Sequence, residues 1–121
     1  MSGGIDHQTA VPHPLPAPLV DLIARRFRVL SEPTRIRLLD LLRERDATVT
    51  ELHEALGASQ QNVSKHLAVL TDAGILARRK DGNRVHYRIG DEGVLAICAE
   101  VCGSVQRQLD ELQQILSGGG R

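Results

Sequence analysis

Aromatic side chains are almost missing from this 121-residue chain: Phe27 and Tyr87 are the only two, and tryptophan is absent. That scarcity argues against a stacking platform for single-stranded nucleic acid, which needs aromatic faces. No run of about eighteen apolar residues occurs, so no segment is expected to span a membrane. The chain does not open with a basic segment leading into an apolar one, so no secretory signal is expected. The two cysteines, Cys98 and Cys102, are too few for a disulfide framework, and a reduced, cytoplasmic setting follows. There is no phosphate-cradling glycine loop, no nucleophile elbow and no His-Glu-x-x-His pair, so the chain does not read as an enzyme.

Net charge is missing too: fifteen basic residues balance fifteen acidic ones. The balance is uneven along the chain. Residues 1–58 carry a net −1 and residues 91–121 a net −3, whereas residues 59–90 hold six cations against two acids, a net +4. Counterion release on phosphate binding depends on local charge, so this middle segment is the part suited to DNA.

The segment 59–90 opens with Ser59-Gln-Gln-Asn-Val-Ser-Lys-His-Leu-Ala-Val-Leu70. Ser59 suits an N-cap, its hydroxyl accepting from a free backbone N–H of the first turn. Val63, Leu67, Leu70 and Ala73 recur at helical spacing and predict an inward face. Gln60, Gln61, Asn62, Ser64, Lys65 and His66 crowd the front of the same helix with groups that hydrogen-bond base edges and phosphates. A recognition helix reads bases through its N-terminal residues. By itself the pattern also suits an ordinary core helix with a solvated polar face.

Around this helix the chain resolves into an arm, one domain and a tail. Residues 1–18, with Gly3, Gly4 and prolines at 12, 14, 16 and 18, read as a flexible arm, and residues 118–121 as a flexible tail. The domain at 19–117 starts with a helix over Leu19–Leu30. Ser31-Glu32-Pro33 breaks it and starts a second, about Thr34–Arg45, which is expected to bury Ile36, Leu39 and Leu42. Thr50 is expected to cap a short third helix with Leu52 and Leu56 inward, stopped at Gly57. Gly57-Ala58-Ser59 then forms the turn of a helix-turn-helix, and the helix opening at Ser59 ends at Gly74.

A hairpin follows. Ile75–Lys80 and Arg84–Ile89 read as strands around Asp81-Gly82-Asn83, with Val85, Tyr87 and Ile89 inward and Arg84, His86 and Arg88 outward. With Arg79, Lys80 and Asn83 it forms a basic wing suited to a phosphate backbone. A solvated Arg-rich hairpin is the plainer reading, disfavoured by its position directly behind a helix-turn-helix. The last helix, about Asp91–Ser117, carries Leu95, Cys98, Cys102, Val105, Leu109, Leu112 and Leu116 at alternating steps of three and four. This narrow heptad seam predicts a homodimer through the terminal helix, with help from the first; the alternative is a helix folded onto its own subunit. A second line, Val94, Ile97 and Val101, is expected to meet the body of the domain.

The stretches SEPTRIRLLDLL, TVTELHEALGASQQNVSKHLAVLTDAGIL and RRKDGNRVHYRI, in this order and followed by a long helix, resemble the ArsR/SmtB winged-helix transcriptional repressors over about residues 19–116. The resemblance implies a mainly α, homodimeric winged helix-turn-helix repressor. It would hold an inverted-repeat operator in double-stranded DNA until an inducer, often a metal ion or oxidant, binds. It places Ser59, Gln60, Gln61, Ser64, Lys65 and His66 on the reading helix and Lys80, Asn83, Arg84 and His86 on the wing. The competing class is a winged-helix module that binds protein rather than DNA.

The inducer sites of the resembled family are mostly absent. Where many members carry a cysteine pair ahead of the turn, this chain reads Val49-Thr50-Glu51-Leu52. Where others hold zinc, cobalt or nickel between terminal helices, only Asp91 matches; the later positions fall at Ser104 and Arg107. The second helix lacks the cysteine used by a sulfur-sensing branch. Cys98 and Cys102 remain, four residues apart on one helical face. Three readings stand: a soft transition-metal site, a redox or sulfur sensor, or two structural cysteines behaving as small hydrophobes. A metal site would need completion by the partner subunit, by Glu100, or by His7 and His13 of the arm.

Overall fold

A computed structural model describes residues 10–118. Its elements are α1 (Ala17–Leu30), α2 (Pro33–Leu42), α3 (Val49–Leu56), α4 (Gln60–Asp72), β1 (Leu76–Asp81), β2 (Arg84–Ile89) and α5 (Glu92–Gly118). Half of the expected arm, residues 1–9, and most of the tail, residues 119–121, lie outside the described residues. The arm ends two residues earlier than expected, because Pro18 sits in the first turn of α1, where a missing N–H leaves no intrahelical bond unmade.

Side chains at the helix ends set the boundaries. Of the two residues ahead of Pro33 that could cap α2, Ser31 and Glu32, it is Glu32 that does so: its Oε1 accepts from the backbone N–H of Thr34 at 2.7 Å and of Arg35 at 3.3 Å. Thr48, not Thr50, caps α3. Thr48 Oγ1 accepts from Glu51 N at 3.2 Å while Glu51 Oε1 accepts from Thr48 N at 2.9 Å, a reciprocal capping box that the alternative start cannot form. α3 ends as expected at Gly57, whose φ of 75° is the left-handed conformation that glycine takes without steric cost.

The core gathers where α2, α3, α4 and the hairpin meet. Leu38, Leu39, Leu42, Leu52, Val63, Leu67, Leu70 and Ile75 are buried, joined by Val94 from α5. The inward stripe of α4 holds, with Ala73 half-buried at its end. The expectation for α2 is corrected at Ile36, which is 46% exposed. Three-residue steps drift around a 3.6-residue helix, so Leu38 and Leu39 share the inner face with Leu42, and Ile36 turns toward α5.

β1 and β2 pair antiparallel from Leu76↔Ile89 to Asp81↔Arg84, leaving Gly82-Asn83 as the loop. Asp81 therefore belongs to the strand rather than the turn. Gly82 has φ 65° and Asn83 a negative φ, the arrangement of a hairpin that needs glycine first. A further bridge ties the hairpin to the α2–α3 connection: Tyr87 N donates to Ala47 O at 2.8 Å and Ala47 N to Tyr87 O at 3.1 Å.

α5, about 40 Å long at 1.5 Å per residue, packs against the other described elements through its first half. Val94 is buried, and Leu95 and Cys98 are half-buried. The second inward line is corrected: Ile97 and Val101 are exposed, since α5 presents to the body the face of Val94, Leu95 and Cys98. From Ser104 to Gly118 every residue is exposed, including Val105, Leu109, Leu112 and Leu116. α1 likewise shows Leu22, Ile23 and Phe27 to solvent.

Candidate nucleic-acid interface

The helix-turn-helix is built from α3, the Gly57–Ser59 turn and α4. Ser59 Oγ accepts from Asn62 N at 3.1 Å, so the first turn of α4 starts where the cap residue predicts. His53 Nδ1 donates to the Ala58 carbonyl at 2.9 Å and braces the turn from within α3, a role the sequence pattern did not signal. With the turn fixed, Gln60, Gln61, Ser64 and Lys65 are exposed and Asn62 is half-buried.

His66 is corrected. Expected among the DNA contacts, it is 7% exposed and faces inward. Arg35 Nη1 donates to its Nδ1 at 3.1 Å, and its Nε2 lies 3.8 Å from Glu32 Oε1. Arg35 Nε in turn donates to the Val29 carbonyl at 2.6 Å. Burial raises the Glu32 carboxyl pKa, but the Thr34 and Arg35 N–H groups, with the nearby Arg35 charge, outweigh it and hold the group below its ordinary value. The cluster locks the reading helix to α2. Its signal was present in the spacing, since position 66 stands three after Val63 and four before Leu70, on the inner face.

On the wing, Arg78, Arg79, Lys80, Asn83, Arg84 and Arg88 are exposed. His86, expected outward, is half-buried. It lies close enough to Glu51 to lower that carboxyl's pKa slightly, behind the larger effect of the Thr48 N–H bond. Asn83, Arg84 and Val85 line a shallow recess with the first turn of α3, so the wing tip is seated against the helix-turn-helix.

Arg26 links three elements. Its Nη1 donates to Asp91 Oδ2 at 2.7 Å, and its Nη2 to the carbonyl of Ala73, the C-cap of α4, at 3.2 Å.

Comparison with known proteins places this geometry. A helix-turn-helix domain family matches residues 30–79. The uncharacterized HTH-type transcriptional regulator Rv0081 of Mycobacterium tuberculosis is 38% identical over 107 residues, which cover 85% of this chain and 94% of the relative. The crystal structure of Rv0081 superposes with a TM-score of 0.72 over 79% of this chain and 97% of that one. The chain belongs to the ArsR/SmtB family. It is a transcriptional repressor of ArsR/SmtB type, not an enzyme. Two more relatives bear on its working. A probable mercury resistance operon repressor of Streptomyces lividans is 42% identical over 74 residues, and the match spans 61% of this chain and only 59% of the relative. A homodimeric winged helix-turn-helix DNA-binding domain from Mycobacterium bovis, a possible ArsR-family regulator solved in solution, has a TM-score of 0.72 at 30% identity, over 78% of this chain and 88% of that one.

As an ArsR/SmtB protein the chain can be tested for a metal site. Val49-Thr50-Glu51-Leu52 starts α3 without a thiol. Asp91, the one matching acid between the terminal helices, is taken by Arg26 and by the N–H of Gly93 at 3.0 Å. Neither place fits a metal ion. Among the described residues no three His, Cys, Asp or Glu side chains gather as a ligand set. Cys98 and Cys102 are free thiols, the first half-buried and the second exposed. Burial pushes the Cys98 thiol above its usual range, which lowers its thiolate fraction. His7 lies outside the described residues, and His13 is exposed ahead of α1. No helix among the described residues is long and apolar enough to cross a membrane.

Proposed function

We propose that this protein is a cytoplasmic homodimeric repressor that holds an inverted-repeat operator and releases it when an inducer reaches Cys98 and Cys102. The observation that carries the DNA-binding part is the front of α4. Ser59 caps it, His66 locks it from beneath, and Gln60, Gln61, Ser64 and Lys65 stand free on it. Amides and hydroxyls at that position reach base edges, while Lys65 and the wing cations Lys80 and Arg84 neutralise phosphates.

The exposed faces of α1 and α5 support pairing, since Phe27, Leu109, Leu112 and Leu116 otherwise leave large apolar groups in water. Pairing through α5 would set two reading helices about 34–36 Å apart, one turn of duplex DNA. A homodimeric relative of the same fold is in keeping with this. The domain would comprise residues 17–118, from the start of α1 to the end of α5. Control at the cysteines is supported by their location on the first half of the pairing helix, where a ligand would alter how α1 and α5 pack.

Operator binding tests the first part. Gln61→Ala combined with Arg84→Ala should abolish specific binding in a fixed-salt titration; unchanged affinity would reject DNA reading by these elements. For the second part, the Cys98→Ser/Cys102→Ser protein should still bind operator but no longer release it on addition of inducer. Release that persists in that protein would remove the cysteines from the mechanism.

A further inference from the structure

Cys98 and Cys102 line one groove of about 360 Å³ between α1, the start of α2 and α5. Among the described residues its other walls are Phe27, Leu30, Ile36, Ile97 and Val101, with Ser31 the one other polar side chain. The Ser31 hydroxyl already donates to the Arg28 carbonyl at 2.8 Å, so it offers no free proton to a guest. Four residues apart on a helix, the two cysteines have Cβ atoms about 5–6 Å apart and stand one above the other. Cys102 is exposed in the single protomer, on the seam along which α5 is proposed to pair.

The donor set selects among soft ions by coordination number. Zinc and its heavier relative cadmium seek four ligands in a closed site, and two thiolates cannot supply them. Trivalent arsenic or antimony bonds to three sulfurs, one more than the groove holds. An ion content with two thiolates in a linear arrangement needs nothing further.

Charge selects next. Among the described residues no charged side chain lines the groove, and an uncompensated charge against apolar walls is costly. Two thiolates with a monovalent ion carry a net negative charge. The same pair with a divalent ion is neutral and matches the walls.

We propose that this groove binds a divalent, two-coordinate soft ion, Hg(II), bridged between Cys98 and Cys102 of a single protomer. The proposal rests on the thiol-directed release described above and names its inducer class. In the binding step two S–H bonds break, two S–Hg bonds form and two protons pass to solvent. No electron is transferred, so neither oxidant nor reductant is required. The ion's placement between α5 and the walls supplied by α1 and α2 couples it to the packing on which pairing depends.

Titration of the reduced full-length protein with Hg(II) under a competing thiol chelator tests the site apart from its function. The readouts are the sulfur-to-mercury charge-transfer absorption and the ion count by native mass spectrometry. One ion per protomer is expected, with the band lost in Cys98→Ser and in Cys102→Ser while both variants keep their helical circular dichroism. One ion per dimer, or undiminished binding in either serine variant, would overturn the proposal. Tighter retention of Cd(II) or As(III) than of Hg(II) would do the same. Phe27→Lys supplies the missing counter-charge and should raise Cu(I) retention over that of the unaltered protein; no change would contradict the neutrality argument. Operator affinity read in parallel separates the two claims. Mercury bound with operator affinity unchanged refutes cysteine-driven release and leaves the site standing. Oxidant-driven release without mercury binding refutes the site and leaves the release.

Discussion

At position 66 an imidazole occupies a place that helical spacing gives to an apolar side chain. Arg35, always protonated, can only donate to it, so His66 accepts at Nδ1 and carries its proton on Nε2, facing Glu32. His66→Leu preserves burial but leaves the Arg35 Nη1 donor without its acceptor. Chemical denaturation should show a loss of about 1–2 kcal/mol, while the salt dependence of operator binding stays as it was. A side chain touching phosphate would give the reverse, a changed salt slope with stability intact. Glu32 adds a pH dependence with a definite sign. Its carboxyl pKa is lower folded than unfolded, so the unfolded chain binds the proton more readily. Its contribution is present above the ordinary carboxylate range and is lost as pH falls through the lowered folded value. Glu32→Gln should therefore flatten the acid limb of the stability curve and leave the neutral-to-basic limb parallel to that of the parent.

The elements were legible where a local rule has no competitor. Gly57 and Ser59 bound the turn of the helix-turn-helix as their residue types predict, and Asp81-Gly82-Asn83 marks the hairpin to within one residue. The misplaced boundary at Thr50 arose because two threonines stand at the start of the same helix; only the reciprocal bond to Glu51 separates them. Ile36, Ile97 and Val101 show a different limit. Periodicity identifies an apolar face but not which neighbour covers it, and these three face the groove rather than the core. The Ala47–Tyr87 bridge and the Arg26–Asp91 pair join positions far apart in the chain, so no local pattern announces them. Two substitutions probe this scale. Gly57→Ala meets no neighbouring atom, so its expected cost of about 1–2 kcal/mol is the left-handed backbone alone, measurable by thermal unfolding. Thr48→Ala should cost about 1 kcal/mol by removing the cap. Thr50→Ala, beside it on the first turn of α3, should cost less.

Over the whole molecule, a neutral chain carries its net positive charge in residues 59–90, and most of its exposed large apolar side chains lie on α1 and α5. The first arrangement suits one face to DNA, the second to another copy of the chain. Leu109→Glu with Leu112→Glu places like charges on the proposed seam, and sedimentation should then show monomer with folded-state circular dichroism retained. Operator affinity should fall with it, because one reading helix engages only half of the repeat. The control site was the least legible part. Cysteine spacing gives the distance between thiols, but the apolar walls that restrict their chemistry come from three helices.

The central claim, that α4 and the wing read and grip an operator, is tested most directly by the salt dependence of binding to a cognate inverted repeat. Arg84→Ala should weaken binding to all sequences alike and lower the slope of log affinity against log salt by roughly one for each phosphate that the guanidinium neutralises. Gln61→Ala should leave that slope unchanged and reduce discrimination between the operator and a scrambled duplex. Unchanged slope in the first variant together with unchanged discrimination in the second would contradict the account.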